Sequence, residues 1–343
     1  YNGVNIIRIP LIPRGSNSIM LSLNYLSFVI SGYIWKLITK IKADYVFIFE
    51  VSPMSQALPG VWYAKKRNVP CYIYVQDLWP ENVKTITGIK NKYIIGAIGK
   101  MVDYIYKNCN QIFTTSQSFV KSIVKRNVDQ NKVSFWPQYA EDFYKPIERK
   151  FESGILNNGK LNIVFTGNIG YAQGLDLLPN VARSLRKTEY ENKVCFNIVG
   201  DGRFKEELLN QIDRADLNHM FKFHGQKPPE DMPKYLADSD AAYLSFANEE
   251  LFNMTIPAKL QSYMACGIPI IASAGGETEK IIKDSTAGFC TETGNVDKLV
   301  NSIVEFINLS FDERAEMGSN ARNYYEDNFD KTVLLNEMDN YFM

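Results

Sequence analysis

Histidine is nearly missing from this chain: of 343 residues only His219 and His224 are of that type. Neither lies in the first half, so a histidine-built metal site or a histidine-based triad there is excluded by inventory, and nothing points to a zinc enzyme. Net charge is missing as well. With 38 basic and 38 acidic residues the chain lacks the basic footprint that general nucleic-acid binding leaves. Its five cysteines, Cys71, Cys109, Cys195, Cys266 and Cys290, form no CxxC pair and mostly sit in or beside apolar runs. They read as buried thiols in a reducing compartment. Charge of either sign is absent from Gly15 to Trp35, long enough to raise a transmembrane span of about twenty residues. Eight small or polar residues dilute that stretch, Asn24, Ser27 and Ser31 among them, so a buried or surface-seeking helix is the preferred reading. It runs on into WKLITKIK, where Trp35 stands beside Lys36, Lys40 and Lys42. That set suits an anionic membrane face; an ordinary solvated helix end is the plain alternative.

What is present is an alternation of short apolar runs with helical stretches, in a chain long enough for about two domains. Tyr45–Val51 and Cys71–Gln76 read as strands around a helix over Gln56–Arg67, a βαβ pattern. Asp77-Leu78-Trp79-Pro80-Glu81-Asn82 follows the second strand, where doubly wound sheets keep their chemistry. Asp77 or Glu81 could bind a hydroxyl or take its proton, and Trp79 could stack on a sugar ring. The structural alternative is a helix cap with a packed tryptophan. After a helix over Lys92–Asn108 and further strand and helix signals, residues 138–160 are polar, turn-rich and unperiodic, the best linker in the chain.

Alternation restarts at Leu161–Thr166, followed by the glycine-rich turn from Gly167 to Gly174, which contains Asn168, Gly170 and Gln173. Glycines there let backbone approach a phosphate. A second strand, Val194–Val199, ends in Gly200-Asp201-Gly202, with Arg203 and Lys205 opening a helix; a phosphate contact and a solvated helix face are both open for that pair. The stretch 253–279, NMTIPAKLQSYMACGIPIIASAGGETE, then packs a helix start, a helix stop, a buried strand and a glycine turn into one unit. Pro257 suits the first helical turn, and Thr255 is near enough to cap it. Lys259 would lie beside the free N–H groups of that turn, where charge and helix dipole favour an anion together. Glu277 and Glu279 sit beyond the strand as acceptors for hydroxyl groups.

PAKLQSYMACGIPIIA, GNIGYAQGLD, VGDGRFKEEL and DLWPEN together resemble family 4 of the retaining glycosyltransferases, of GT-B architecture. The likeness is to members from bacterial capsule and O-antigen clusters that transfer N-acetylfucosamine-type sugars. It implies two Rossmann-like α/β domains with doubly wound parallel sheets facing a cleft. Residues 1–150 would bind the acceptor, 151–325 the nucleotide-sugar, and 326–343 would pack back on the first domain. By the same resemblance the first strand, glycine-rich loop and helix of the family are absent, and GVNIIRI near Tyr1 reads as an interior strand already running.

The resemblance further implies a UDP-sugar held at Gly167, Asn168, Gly170, Gln173, Gly200, Arg203, Lys205, Gln226, Lys227, Pro257, Lys259, Gln261, Ser262, Glu277 and Glu279. Asp77, Lys259 and Glu277 would serve the chemistry, and Trp79 and Glu81 the acceptor. Two departures stand out. Where relatives place Arg and Lys on the diphosphate this chain has Asn168 and Gln173, and where they carry two glutamates it has Met254 and Ser262. Charge neutralisation then falls to Lys259 and backbone N–H groups, and the ribose to Gln261, Ser262 or Glu277. No DxD-type pair occupies a suitable loop, so no metal and no other cofactor are expected. A lipid-linked saccharide acceptor would place the enzyme in the cytoplasm, at the inner membrane face. The other reading is a non-catalytic glycosyltransferase-like subunit of a polysaccharide-assembly complex.

Overall fold

The two alternations read from the sequence fold as two separate sheets, one in each of two units, Tyr1–Trp136 and Pro137–Met343. The structure is a computed structural model that describes residues 3–15, 18–83, 89 and 91–342.

Unit 1 runs α1 (Ser18–Ile38), β1 (Val46–Glu50), α2 (Leu58–Arg67), β2 (Cys71–Val75), α3 (Lys92–Lys107), β3 (Gln111–Thr114), α4 (Gln117–Val124) and β4 (Val133–Phe135). The strands pair in parallel in the order β1-β2-β3-β4. Inner strands are covered on both faces, and β2 and β3 fit that: every residue of QIFT in β3 is buried, as are four of the five in CYIYV of β2. Local chemistry starts the helices. Asn91 accepts the N–H groups of Tyr93 and Ile94 ahead of α3, and Ser116 accepts that of Phe119 ahead of α4.

One expectation fails here: GVNIIRI, residues 3–9, forms no strand. Pro10 and Pro13 cannot donate to a ladder, and side chains of α1 take up the backbone instead. Ser31 donates to the Pro10 carbonyl, Asn24 to the Ile12 carbonyl, and the Ile12 N–H donates to Ser27. The polar residues that dilute α1 therefore strap the preceding segment to it. A separate stripe of α1 is open: Ile19, Leu23, Leu26, Ile30, Tyr33 and Leu37 recur at spacings of four and three and are all exposed. Ile19–Ile38 is long and apolar enough to cross a membrane.

Unit 2 runs β5 (Leu161–Thr166), α5 (Leu177–Leu185), β6 (Val194–Val199), α6 (Lys205–Arg214), β7 (Phe221–Gly225), α7 (Met232–Ala237), β8 (Ala241–Ser245), α8 (Glu250–Asn253) and α9 (Ala258–Ala265). It continues with β9 (Ile270–Ser273), α10 (Gly276–Asp284), β10 (Gly288–Thr291), α11 (Val296–Asn308), α12 (Phe311–Phe329) and α13 (Lys331–Asp339). All six strands are parallel, in the order β10-β9-β8-β5-β6-β7. Sequence direction reverses between β5 and β8, which opens a crevice at the carboxyl ends of those strands. Leu178, Val181 and Leu185 of α5, Leu208 and Ile212 of α6 and Ile303 and Phe306 of α11 fill one face of the sheet.

The polar stretch 138–160 is seated on this second sheet. Asp238, almost wholly buried, accepts the N–H groups of Lys150, Phe151 and Ser153. Burial alone would raise its carboxyl, but these donors hold it below the usual carboxylate range. Helix α12 closes on the end of α9, where Gly318 lies against the Gly267 carbonyl and Arg322 donates to the Ala265 carbonyl at 2.6 Å. That contact fixes the helix that carries Lys259.

Candidate active site in the second unit

Three loops meet at the carboxyl end of the unit 2 sheet. The Gly167 N–H donates to the Val199 carbonyl at 2.8 Å, the Ile169 N–H to Asp201 at 2.8 Å, and the Gly200 N–H to Gly225 at 2.9 Å. The turns after β5, β6 and β7 are thus bonded edge to edge. Gly200 has φ +143, and a Cβ there would stand 1.8 Å from the Gly167 oxygen; only glycine permits that approach. The joined turns enclose a cavity of ≈ 440 Å³ lined by Gly167, Asn168, Val199, Gly200, Asp201, Gly202, Gln226, Lys227 and Met232, a size normal for a small-molecule site.

Lys259 reaches the same turn from α9. Pro257 is the residue that caps this helix, in extended conformation, and Lys259 lies in its first turn. Thr255 does not cap it; its hydroxyl donates back to the Leu251 carbonyl. One helical turn beyond Lys259, Tyr263 accepts the Thr166 N–H at 3.1 Å, and its hydroxyl is 3.3 Å from Thr166 Oγ1. Residues four apart share a helix face, so Lys259 points to the end of β5 as well. Its Nζ sits 3.8 Å from the centroid of the Phe165 ring, and a Cβ on Gly167 would be 2.9 Å from its Cε. Burial lowers the Lys259 ammonium from 10.5 to about 7. Neither Lys259 nor Lys227 has a carboxylate partner among the described residues, so both remain available to an anion.

Other predicted donor residues are placed differently. The Gln173 side-chain oxygen accepts the Gly170 N–H at 3.1 Å, which closes the turn on itself. Lys205 pairs with Asp201 at 2.8 Å, and Glu279 with Lys283 at 2.6 Å. Arg203 lies on the surface. Ser262 donates to the Ala258 carbonyl one turn back, while the Gln261 amide is buried with neither its nitrogen nor its oxygen partnered among the described residues. Glu277 stands with Glu279 in the first turn of α10, whose start fits against α8 through Gly276 and the Asn253 carbonyl. His224 donates no charge to the site: burial brings it to about 4, and its Nε2 lies 2.8 Å from Asn197 Oδ1.

In unit 1 the residues expected to meet an acceptor form a corner at the ends of β1 and β2. Asp77 Oδ2 accepts the Ser52 N–H at 2.9 Å and the Ser52 hydroxyl at 2.6 Å. Trp79 Nε1 donates to the same hydroxyl at 3.2 Å. Leu78 is buried between them, Trp79 is half-buried, and one oxygen of Glu81 is buried without a partner among the described residues. Sequence reasoning missed Ser52. The signal was register: with Glu50 opposite Val75, two steps further along parallel strands bring Ser52 opposite Asp77. Phe165 under Lys259 was missed too, because a strand phenylalanine reads as core.

Residues 146–324 match the family Glycosyl transferases group 1, 179 of the 343 residues. The chain is 24% identical to the putative colanic acid biosynthesis glycosyl transferase WcaI of Escherichia coli K12, over 97% of its own length and 82% of that protein. It is 21% identical to an uncharacterized 41.2 kDa protein in the cps region of Klebsiella pneumoniae, over 78% and 67%. The WcaL match in Escherichia coli K12, at 24% identity, spans 52% of this chain and 44% of that relative. Among solved structures, Anabaena Alr3699/HepE in complex with UDP superposes with a TM-score of 0.72 at 16% identity, covering 94% of this chain and 83% of the other. The sucrose-phosphate synthase of Thermosynechococcus elongatus gives 0.74 at 13% identity, over 96% and 81%. These likenesses show the GT-B fold. With the cavity, Lys259 and the loops that hold them all inside the matched stretch, the chain belongs to the group 1 glycosyl transferases.

Proposed function

We propose that the protein is a retaining glycosyltransferase that moves a sugar from a UDP-sugar to a lipid-linked saccharide during capsule or O-antigen assembly. The sugar class is an N-acetylated amino or deoxyamino hexose of the N-acetylfucosamine type. The carrying observation is Lys259, set over Phe165 against Gly167 at the rim of the three-loop cavity. A cation desolvated in that way stabilises negative charge developing on a leaving diphosphate more strongly than one in water. Lys227 and Gln226 line the cavity for the nucleotide. Asp77, oriented through Oδ2 by Ser52, keeps Oδ1 for the acceptor hydroxyl, and Trp79 offers an aromatic face to its ring. With Lys259 and helix dipole neutralising the leaving group, the reaction is proposed to need no metal. Relatives named for colanic acid and amylovoran biosynthesis support the polysaccharide reading.

A thermal-shift comparison of UDP, GDP, ADP, TDP and UMP, without and then with magnesium, tests it. Ligand at about 100 times its dissociation constant stabilises by roughly 2.7 kcal/mol. A UDP-selective shift without magnesium is expected. A shift only with magnesium sinks the metal-free part, and no shift with any diphosphate favours the non-catalytic subunit. One observation leans towards that second reading: Gln173, at the position of a basic residue in relatives, spends its side chain on Gly170.

The membrane assignment rests on α1. Its apolar stripe is exposed, and residues 1–43 carry Arg8, Arg14, Lys36, Lys40 and Lys42 with no acidic residue, in a chain of zero net charge. Apolar contact on α1 and basic charge at its end and in the segments beside it suit an anionic interface. The chain is expected to co-sediment with phosphatidylglycerol vesicles, to ignore phosphatidylcholine vesicles, and to be released by salt. Failure on anionic vesicles, or self-association in place of binding, rules the assignment out.

A further inference from the structure

A second carboxyl at the crest of the unit 1 sheet has no task in the reaction above. Glu50 pairs with Val75 and Val75 with Thr114, and residues in one register row of a parallel sheet project to the same face. Glu50 and Thr114 therefore flank Val75 on one face, and both are fully buried. Among the described residues neither Glu50 oxygen meets a hydrogen-bond donor, and Thr114 Oγ1, Tyr106 Oη, Asn82 Nδ2 and Glu81 Oε2 are buried without partners too. Buried polar atoms are paired about nine times in ten, so this is a concentrated exception. It is also one neighbourhood, since the Tyr106 hydroxyl on α3 feels the charges of both Glu50 and Glu81.

An ionised carboxylate without donors is expensive to bury, and two neighbouring carboxylates resist ionising together. Asp77 holds both Ser52 donors, whereas Glu50 holds none, so the proton belongs on Glu50 and the charge on Asp77. Burial, then the Asp77 charge, pushes the Glu50 carboxyl well above the usual range; the N–H groups of Asp77 and Gln76 oppose this weakly without reaching hydrogen-bond geometry. Of the charged groups near it, Asp77 bears on it from the loop after β2; Tyr106 of α3 is the group on which both Glu50 and Glu81 act. Arg126 and Cys109 act on Tyr106.

We propose that Glu50 is a positioning residue for the acceptor end of unit 1: it stays protonated beneath the crest beside a charged Asp77, and its ionisation would drive Asp77 from Ser52 and release Trp79. The proposal rests on the glycosyltransferase reading only for the use it gives Asp77.

The test uses the full chain, wild type against Glu50→Gln. An unfolded Glu50 ionises near 4.5 and the folded one far higher, so wild-type stability falls as pH rises from about 4.5, while the glutamine variant is spared. The melting temperature of Glu50→Gln minus that of wild type should grow from near zero at pH 4.5 to several degrees at pH 8. Trp79 emission, obtained by difference from Trp79→Phe, should match in both proteins at pH 6. It should then move with rising pH in the wild type only. Asp77→Asn provides a second arm that does not depend on the glutamine variant folding: with no charge left at position 77 to be repelled, the Trp79 movement should disappear. A pH-independent difference in melting temperature, a Trp79 signal flat to pH 9.5 in the wild type, or one that moves equally in Glu50→Gln overturns the proposal. UDP stabilisation, which belongs to unit 2, should be equal in wild type and Glu50→Gln; its absence from both would refute the transferase reading and leave the Glu50 result standing.

Discussion

Replacing Lys259 with alanine is expected to abolish UDP-induced stabilisation and to lower transfer by about a hundredfold or more, the usual effect of removing one group that stabilises leaving charge. In the wild type, UDP affinity should fall as pH rises through about 7. Only the protonated lysine supplies the charge, and burial sets its free-state value at about 7. A bound diphosphate raises that value, so above pH 7 binding takes up a proton and the dissociation constant grows by up to tenfold per pH unit. Calorimetric titrations at pH 8 in two buffers of different ionisation enthalpy should show uptake near one proton in the wild type and none through this site in Lys259→Ala. A dissociation constant unchanged between pH 6.5 and 8.5 contradicts the assignment. The same lysine bears on the free protein with a definite sign. An unfolded lysine titrates at 10.5, so its burial is least favourable below pH 7 and the penalty is relieved as pH rises from 7 towards 10.5. Lys259→Met should therefore melt above wild type, most clearly at the acidic end.

Gly200→Ala is expected to have the largest effect on stability. The added Cβ would lie 1.8 Å from a backbone oxygen, that of Gly167, at φ +143, so neither a rotamer change nor a small shift relieves it. Relief requires the turns after β5 and β6 to part, which breaks the Gly167–Val199 and Gly200–Gly225 bonds. A loss of about 4 kcal/mol or more belongs to this class of change, with the melting temperature of unit 2 down by roughly 10 °C and no UDP shift remaining. Gly225→Ala is the control. Its φ is +70, but no atom lies within 4 Å of the added carbon, so only the left-handed strain of about 1 kcal/mol is at stake. Equal melting curves for the two variants would show that close approach of the turns is not what holds the cavity.

Local pattern determined much of this protein without help. Apolar runs such as CYIYV and LNIVFT, separated by helices with Asn91 or Ser116 at their starts, specify parallel strands because such strands need apolar residues on both faces. Pro257 and Gly267 bracket a helix that puts Lys259 in its first turn, again from residues within one or two turns of each other. Tertiary structure decided which side chains those elements share. Lys205, Glu279 and Gln173, open to a ligand in the sequence, are occupied by Asp201, Lys283 and Gly170. The run GVNIIRI, strand-like by composition, leads into Pro10 and Ile12, whose backbone is taken by Ser31, Asn24 and Ser27. Ser52 meets Asp77, and Phe165 meets Lys259, only because strand register and helix placement close gaps of 25 and 94 residues. Helix and strand signals repeat over a few residues and can be read along the chain; a site depends on register and on how closely two backbones can approach, and both are set across it.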